Sequence, residues 1–260
     1  MPIRDEETRA RVQLRFLTYN IHKGIGIDRR FRLERTAEVI SHYAPDVVML
    51  QEVDHGAPRS RGLNLAVELS EKLGLPRVAL GLNVKLKQGN YGNAILSRFP
   101  IVTERNIDLT MPDSWIRRGC QHAALDLGRG RRLEVFNLHL GLSARERALQ
   151  VAELVRSAEF RDANPRHATF IGGDFNDWRS LLLPTFTESL GFRCATERAH
   201  GRRRVIPTYP SFSPQGGLDR LYYRGPVSLL AVQASRLRLA RLASDHLPVI
   251  ADFVLDRLAE

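Results

Sequence analysis

Cysteine is almost missing from this chain: Cys120 and Cys194 are the only two in 260 residues. That excludes a disulfide framework and a cysteine metal cage. No run approaches the ~20 consecutive apolar residues that a membrane-spanning helix needs. The opening residues, Met1 to Arg9, are charged and carry no apolar stretch of the kind found in a secretory signal. A cytoplasmic protein is therefore expected, with no stable membrane insertion and at most a peripheral association with anionic membrane. Lysine is scarce as well, with Lys23, Lys72, Lys85 and Lys87 the full set. Nor is there an internal repeat, a low-complexity run or a linker. The expected organisation is a polar tail over 1–11 and a single domain over 12–260.

What is present is an ordinary globular composition, 43% hydrophobic and 26% charged, long enough to bury a sizeable core. The net charge is +10, and nearly all the cations are arginine. A field of that sign concentrates polyanions, whether nucleic acid, anionic phospholipid or small phosphates. An arginine-rich composition also makes a surface basic without any such partner. Charge alone does not choose a substrate.

Residues 12–19 alternate and then run apolar, as a partly buried strand does. The spacing of Leu33, Ala37, Val39 and Ile40 predicts a helix over 31–43, broken by Ala44-Pro45-Asp46. Val47–Leu50 reads as a buried strand ending in Gln51-Glu52, and 64–73 as a helix stopped by Gly74. Between 77 and 136 turn signals separate short strands, which favours antiparallel pairing. One long helix is expected over 143–161, with Ser143 as N-cap and Glu146 completing a capping box. Ala168–Ile171 is a buried strand before Gly172-Gly173-Asp174, and β patterning returns at 218–223, 227–232 and 247–255. Helices in both halves, each flanked by strands, fit two packed sheets with helices outside.

Polar residues close five of these apolar runs. Phe16–Tyr19 leads to Asn20, Val47–Leu50 to Glu52, Val135-Phe136 to Asn137 and His139, and Phe170-Ile171 to Asp174 and Asn176. A short turn holding Asp245-His246 adjoins Leu247–Val249. Taken singly, an Asp or Asn at a strand end is a turn former or a helix cap. Taken together, strands lying side by side would bring these ends to one rim. Hard oxygen donors gathered in this way suit Mg2+ or Mn2+ rather than zinc.

Thr18-Tyr19-Asn20, Gln51-Glu52-Val53, Tyr91-Gly92-Asn93-Ala94, Asn137-Leu138-His139, Gly173-Asp174-Phe175-Asn176, Leu218-Asp219-Arg220 and Ser244-Asp245-His246-Leu247-Pro248 occur in that order. The ordered set resembles the endonuclease/exonuclease/phosphatase superfamily over nearly the whole chain, from Leu14 to Val254. That group includes DNase I-like nucleases, abasic-site endonucleases, sphingomyelinases and inositol polyphosphate phosphatases. The resemblance implies an α/β fold, a four-layer αββα sandwich of two mainly antiparallel central sheets flanked by helices. It also implies a divalent-metal-dependent phosphoester hydrolase using Mg2+ or Mn2+.

Roles follow from the same resemblance. Asn20, Glu52 and Asp245 are expected to hold the metal, with Glu52 the main carboxylate. Asp174, backed by Asn176, is expected to orient and deprotonate the attacking water or to hold a second metal. Asp219 and His246 form an expected carboxylate–imidazole pair, although Asp219 has an alternative partner in neighbouring Arg220. His139 is expected to stabilise charge on the phosphoryl oxygens. Arg118 is a candidate phosphate contact, and Asn93 a residue of the substrate-binding wall. Some nucleases of the group carry a metal-coordinating Asp two residues after the first Asn. Here that position is His22, which weakens a specific abasic-endonuclease reading. His22 and His122 otherwise read as satisfied surface residues.

Two substrate classes stay open. Nucleic-acid phosphodiesters are the first expectation, favoured by the arginine-rich surface and by Gly201-Arg202-Arg203-Arg204. Thr208-Tyr209-Pro210-Ser211 followed by Leu218-Asp219-Arg220, with Tyr19-Asn20-Ile21-His22-Lys23-Gly24, resembles a bacterial subgroup related to a glycolipid-anchor-remodelling branch, which favours the alternative, a phospholipid or inositol-phosphate head group. Tyr91, Trp115, Trp178 and Tyr209 could stack bases, while Trp115 and Tyr209 could equally enter a membrane surface. A non-catalytic binding protein of the same fold is disfavoured, because Asn20, Glu52, His139, Asp174, Asn176, Asp219, Asp245 and His246 all keep competent side chains.

Overall fold

A computed structural model describes residues 12–112, 114–197 and 205–256. The expected tail over 1–11 and the run from Gly201 to Arg204 lie outside the described residues. The first half of the chain runs β1 (Gln13–Asn20), α1 (Leu33–Tyr43), β2 (Val47–His55), α2 (Leu65–Leu73), β3 (Arg77–Lys85), β4 (Asn90–Ser97), β5 (Ile101–Asp108) and β6 (Gly119–Gly128). The second runs β7 (Arg131–His139), α3 (Ala144–Arg156), α4 (Ala158–Arg161), β8 (Ala168–Asp174), β9 (Arg193–Cys194), β10 (Asp219–Arg224), β11 (Val227–Ala234), α5 (Ala240–Ala243) and β12 (Val249–Leu255).

Twelve strands make two six-stranded sheets, ordered β11-β12-β1-β2-β4-β3 and β5-β6-β7-β8-β10-β9. The β1/β2 and β7/β8 pairs are parallel, and the other neighbours are antiparallel. Each sheet buries both faces, so three apolar layers result. α1, α2 and α5 cover the outer face of the first sheet, and α3 and α4 cover that of the second. The middle layer joins the sheets, with Phe16 stacked on Phe170 at 4.1 Å and Phe253 edge-on to both.

Strand alternation sorts the side chains. On β1, Leu14 and Phe16 enter the middle layer while Leu17 and Tyr19 face the helices. On β7 the same split separates Leu133 and Val135 from Phe136 and Leu138. The middle layer is held at its polar end by Asn137, which is fully buried. Its amide donates to the carbonyls of Leu50 and Ala94 at 2.9 and 3.0 Å, and its oxygen accepts from Gln51 Nε2 at 2.7 Å. Asn137→Ala should cost about 2–4 kcal/mol, because it takes the side-chain donor from two buried carbonyls and leaves a void, while Gln51 Nε2 keeps only its longer bonds to Thr18 and Met49. The midpoint of urea unfolding checks this, and a midpoint equal to that of the parent would refute it.

Two elements depart from the sequence expectation. The helix expected over 143–161 is broken at Ser157, whose backbone is extended at φ −61°, ψ 148°. The Ser157 hydroxyl accepts from the N–H of Phe160 at 3.3 Å and donates to the carbonyl of Leu154 at 2.7 Å. A side chain that satisfies both broken ends competes with continuation of the helix. At the start of α3, Ser143 accepts from the N–H of Glu146, but the Glu146 carboxylate accepts from Gln150 instead of closing a capping box. The second departure is β2, which does not stop at Glu52 but continues to His55 past a bulge.

Candidate active site

The middle layer turns polar at one end. Reading inward-facing positions toward that rim, β1 goes from Phe16 to Asn20, β2 from Met49 to Gln51, β7 from Val135 to His139 and β8 from Phe170 to Asp174. β10 runs the opposite way and begins there with Asp219, paired in register with Asp174. Alternation and pairing thus converge residues from both sheets.

Glu52 should face away from that rim, since it follows inward-facing Gln51. The bulge between Leu50 and Val53 and a left-handed backbone at Glu52, φ 60°, turn it back. That conformation costs a non-glycine residue on the order of 1–3 kcal/mol, and it persists where the surroundings impose it. The Glu52 carboxylate meets the Asn20 amide at 3.4 Å and receives the ammonium of Lys23. Lys23 arrives on a tight turn in which His22 and Lys23 are both left-handed, tied by a 3.1 Å bond from the His22 N–H to Asn20 Oδ1. Burial works against a charge on Glu52, but His139 and the Lys23 ammonium outweigh it and hold the carboxyl at about 2.

Asp174 is the centre of the arrangement. Its Oδ2 accepts from Asn20 Nδ2 at 3.0 Å, which links the two sheets. The same oxygen is 3.6 Å from Nε2 of His139 and 3.6 Å from Nε2 of His246. His246 Nδ1 donates to Asp219 Oδ2 at 2.9 Å, and the Thr208 hydroxyl donates to that same oxygen. Burial opposes protonation of His246, yet Asp219 and Asp174 raise its pKa to about 10. His139 goes the other way: burial prevails over Asp174, Arg118 adds repulsion, and the pKa falls to about 4. At neutral pH one imidazole is charged and the other neutral.

Remaining expected residues lie around this centre. Asn176, at φ 51°, donates its N–H to Asp174 Oδ1 at 2.9 Å and its amide to the Leu140 carbonyl at 2.9 Å, so it orients the carboxylate. Asp245 is half-buried beside Ser244, whose hydroxyl also donates to the Asn20 carbonyl. Asn93 is buried, with its amide 3.4 Å from the carbonyls of Gly119 and Asn137. Arg118 is half-buried with Nε unpartnered, and its charge reaches both His139 and Tyr91. Arg220 faces away from Asp219 and donates to the Asp177 carbonyl and the Ser180 hydroxyl. His22 is half-buried and bonded to the Ile25 carbonyl. His122 is not a surface residue: it is buried, with Nε2 2.7 Å from Glu134, because β6 is covered by the α3–α4 layer.

Lys23 and Thr208 belong to motifs that are legible in the sequence, yet the sequence assigns neither a role in the site. Lys23 had a signal, as one of four lysines in an arginine-rich chain and three residues past Asn20. Thr208 opens the motif Thr208-Tyr209-Pro210-Ser211, but its bond to Asp219 depends on a loop crossing to β10.

Among the described residues no three of His, Cys, Asp and Glu form a ready ligand set. Mg2+ is commonly bound through one or two carboxylates and waters rather than in a protein cage. A divalent ion fits the donors present, since Glu52 is ionised and already paired with a cation at Lys23. Asp245 adds a carboxylate on the turn that Ser244 ties to the Asn20 carbonyl, whereas the Asn20 side chain turns Nδ2 to Glu52 and Oδ1 to the His22 N–H.

Known proteins resemble this chain over nearly its whole length. A family model described as "Endonuclease/Exonuclease/phosphatase family" matches residues 17–246. The uncharacterized protein YbhP of Escherichia coli K12 is 33% identical over 249 residues, which is 92% of this chain and 95% of that protein. An endonuclease/exonuclease/phosphatase structure from Beutenbergia cavernae superposes with a TM-score of 0.80 at 23% identity, covering 95% of this chain and 72% of that one. ANGEL2, a 2′,3′-cyclic phosphatase in complex with adenosine-2′,3′-vanadate, superposes with a TM-score of 0.73 at 17% identity over 95% of this chain and 97% of its own.

Proposed function

Since the chain belongs to the endonuclease/exonuclease/phosphatase family, whose chemistry is hydrolysis of phosphoric esters, we propose that it cleaves a phosphodiester with a water deprotonated at Asp174. The observation that carries this reading is Asp174 Oδ2 set between a charged and a neutral imidazole. Asp174 takes the proton from water as the new P–O bond forms opposite the departing ester oxygen. Charged His246, held by Asp219, faces the phosphoryl oxygens together with the neutral N–H of His139 and the Arg118 guanidinium. Glu52, with Asn20 beside it and Asp245 on the turn bonded to Asn20 through Ser244, would hold a Mg2+ or Mn2+ ion, which when bound polarises a phosphoryl oxygen and neutralises charge on the leaving one. Lys23 supplies a fixed cation at the same carboxylate.

Nucleic acid is one substrate class compatible with this site, supported by the +10 charge. The head group of an anionic phospholipid is the other, supported by large apolar side chains exposed at the rim. ANGEL2, whose fold the chain shares, acts on a cyclic phosphodiester, which supports a diester as the bond cleaved.

A substrate panel tests the proposal. Plasmid DNA, abasic duplex, single-stranded RNA, anionic phospholipid, inositol phosphates and bis(4-nitrophenyl) phosphate are each incubated with Mg2+ or Mn2+, and again with EDTA. Turnover of at least one diester that stops with EDTA is expected. Full turnover in EDTA would remove the metal from the reading.

A further inference from the structure

Large apolar side chains left in solvent are unevenly distributed. Along the rim of the second sheet, the loop between β5 and β6 carries Trp115 and Ile116, and the turn after β7 carries Leu142. The loop after β8 carries Trp178 and Leu181, and the loop before β10 carries Phe212 where it crosses toward α5, its neighbour Ser211 bonding the carbonyls of Arg241, Ser244 and Asp245. These six are between 52% and 101% exposed, and Trp115 is the most exposed. β5, β6, β7, β8 and β10 are consecutive neighbours in the sheet. Adjacent strands lie about 4.8 Å apart, so the four connections form one stripe along the site. Trp178 covers Gly216 and stands edge-on to Tyr209, whose ring is 4.9 Å from that of His246. The rim of the first sheet exposes only Ile27 of this kind among the described residues.

Arginine dominates the charge along the stripe. Arg117, Arg145 and Arg179 are exposed there, against one exposed acid, Asp108, among the described residues of 108–118, 140–145, 175–184 and 205–218; the sequence also places Asp113 in the first of these segments. Asp177, which lies in one of these segments, is buried. We infer that this stripe docks the active-site rim on an anionic phospholipid surface. Trp115, Ile116, Leu142 and Phe212 enter the apolar boundary, and the arginines meet lipid phosphates. The inference rests on the phosphodiesterase reading and assigns the surface from which the site takes its substrate. Aliphatic side chains decide against a nucleic-acid platform: Ile116, Leu142 and Leu181 have no ring face on which a base could stack, whereas hydrocarbon accepts them and the aromatics alike.

Trp115 and Trp178 are the only tryptophans in the chain, so intrinsic fluorescence reads the stripe directly. The full-length Trp178→Phe variant, with Trp115 as reporter, is titrated with vesicles of phosphatidylcholine alone and with about one-third phosphatidylglycerol. Sedimentation of the parent with the same vesicles supplies a second readout. A blue shift and co-sedimentation with the anionic vesicles only are expected, and the Ile116→Ser/Leu142→Ser double variant, shown to be folded by its melting temperature, should bind about tenfold more weakly. Hydrolysis of soluble bis(4-nitrophenyl) phosphate by the parent reports the catalytic site separately. If the parent hydrolyses that diester but neither shifts nor sediments with anionic vesicles, the docking surface is wrong while the site stands. A Trp115 response to single-stranded DNA in place of vesicles would overturn it in favour of nucleic acid.

Discussion

Asp174→Asn is expected to lower kcat roughly a thousandfold while leaving the protein folded. The substitution is nearly isosteric and removes the basic carboxylate. The Asn176 N–H that now bonds Asp174 Oδ1 finds an amide oxygen in the variant, so the local turn survives. What is lost is the acceptor for the proton of water, together with the negative charge toward which His246 and His139 both point. Steady-state turnover of whichever diester the parent hydrolyses, measured at saturating Mg2+, tests this. Retention of more than about a tenth of the parent kcat would show that Asp174 is not the base.

The second large effect belongs to His246. His246→Gln should reduce kcat/KM by roughly 100- to 10,000-fold, because a charged donor facing the phosphate is replaced by a neutral one. Asp219→Asn separates charge from presence. The ring remains, but the carboxylate that helps raise its pKa to about 10 is gone, so the alkaline limb of the pH profile of kcat/KM should move to lower pH. The same pair affects stability. His246 is held well above the ordinary histidine value of ~6.5, so its stabilising contribution is complete below that pH and is lost as pH rises through about 10. The parent's melting temperature should therefore fall over that interval, and the fall should be smaller in Asp219→Asn. Identical pH profiles for parent and Asp219→Asn would mean that the pair does not set the charge on the ring.

Several features of the fold were readable because they are local. Apolar runs closed by polar residues mark strands whose inward face changes character at one end, and this holds for β1, β7 and β8. Gly74 after a periodic run predicted the end of α2, where the glycine is left-handed. The break at Ser157 was not readable, because the apolar spacing continues across it and the deciding hydroxyl bonds are made by a residue equally content within a helix or at a cap. His122 reads as a surface residue for a similar reason. Its alternation is that of a half-exposed strand, and only the helices packed over β6 bury it.

Asp219 shows the same boundary within the site. Its two candidate partners, Arg220 and His246, are equally visible in the sequence. On a strand, adjacent residues face opposite ways, so Arg220 goes to Asp177 and Ser180 while Asp219 is left for His246. Glu52 is the opposite case: simple alternation points it out of the site, and a bulge combined with positive φ brings it in. Lys23 then reaches it across a separation of 29 residues.

The sequence by itself determined the chemical inventory and the strands that carry it, since side-chain type and period-two patterning are properties of short segments. It also determined the family, through the order of its motifs. Only the tertiary structure decided which ends meet: Asn20 bonds Asp174 across 154 residues, and the exposed apolar stripe exists because β5 to β10 lie side by side. Such proximities follow from sheet order and from packing between sheets, and neither is encoded in any one segment.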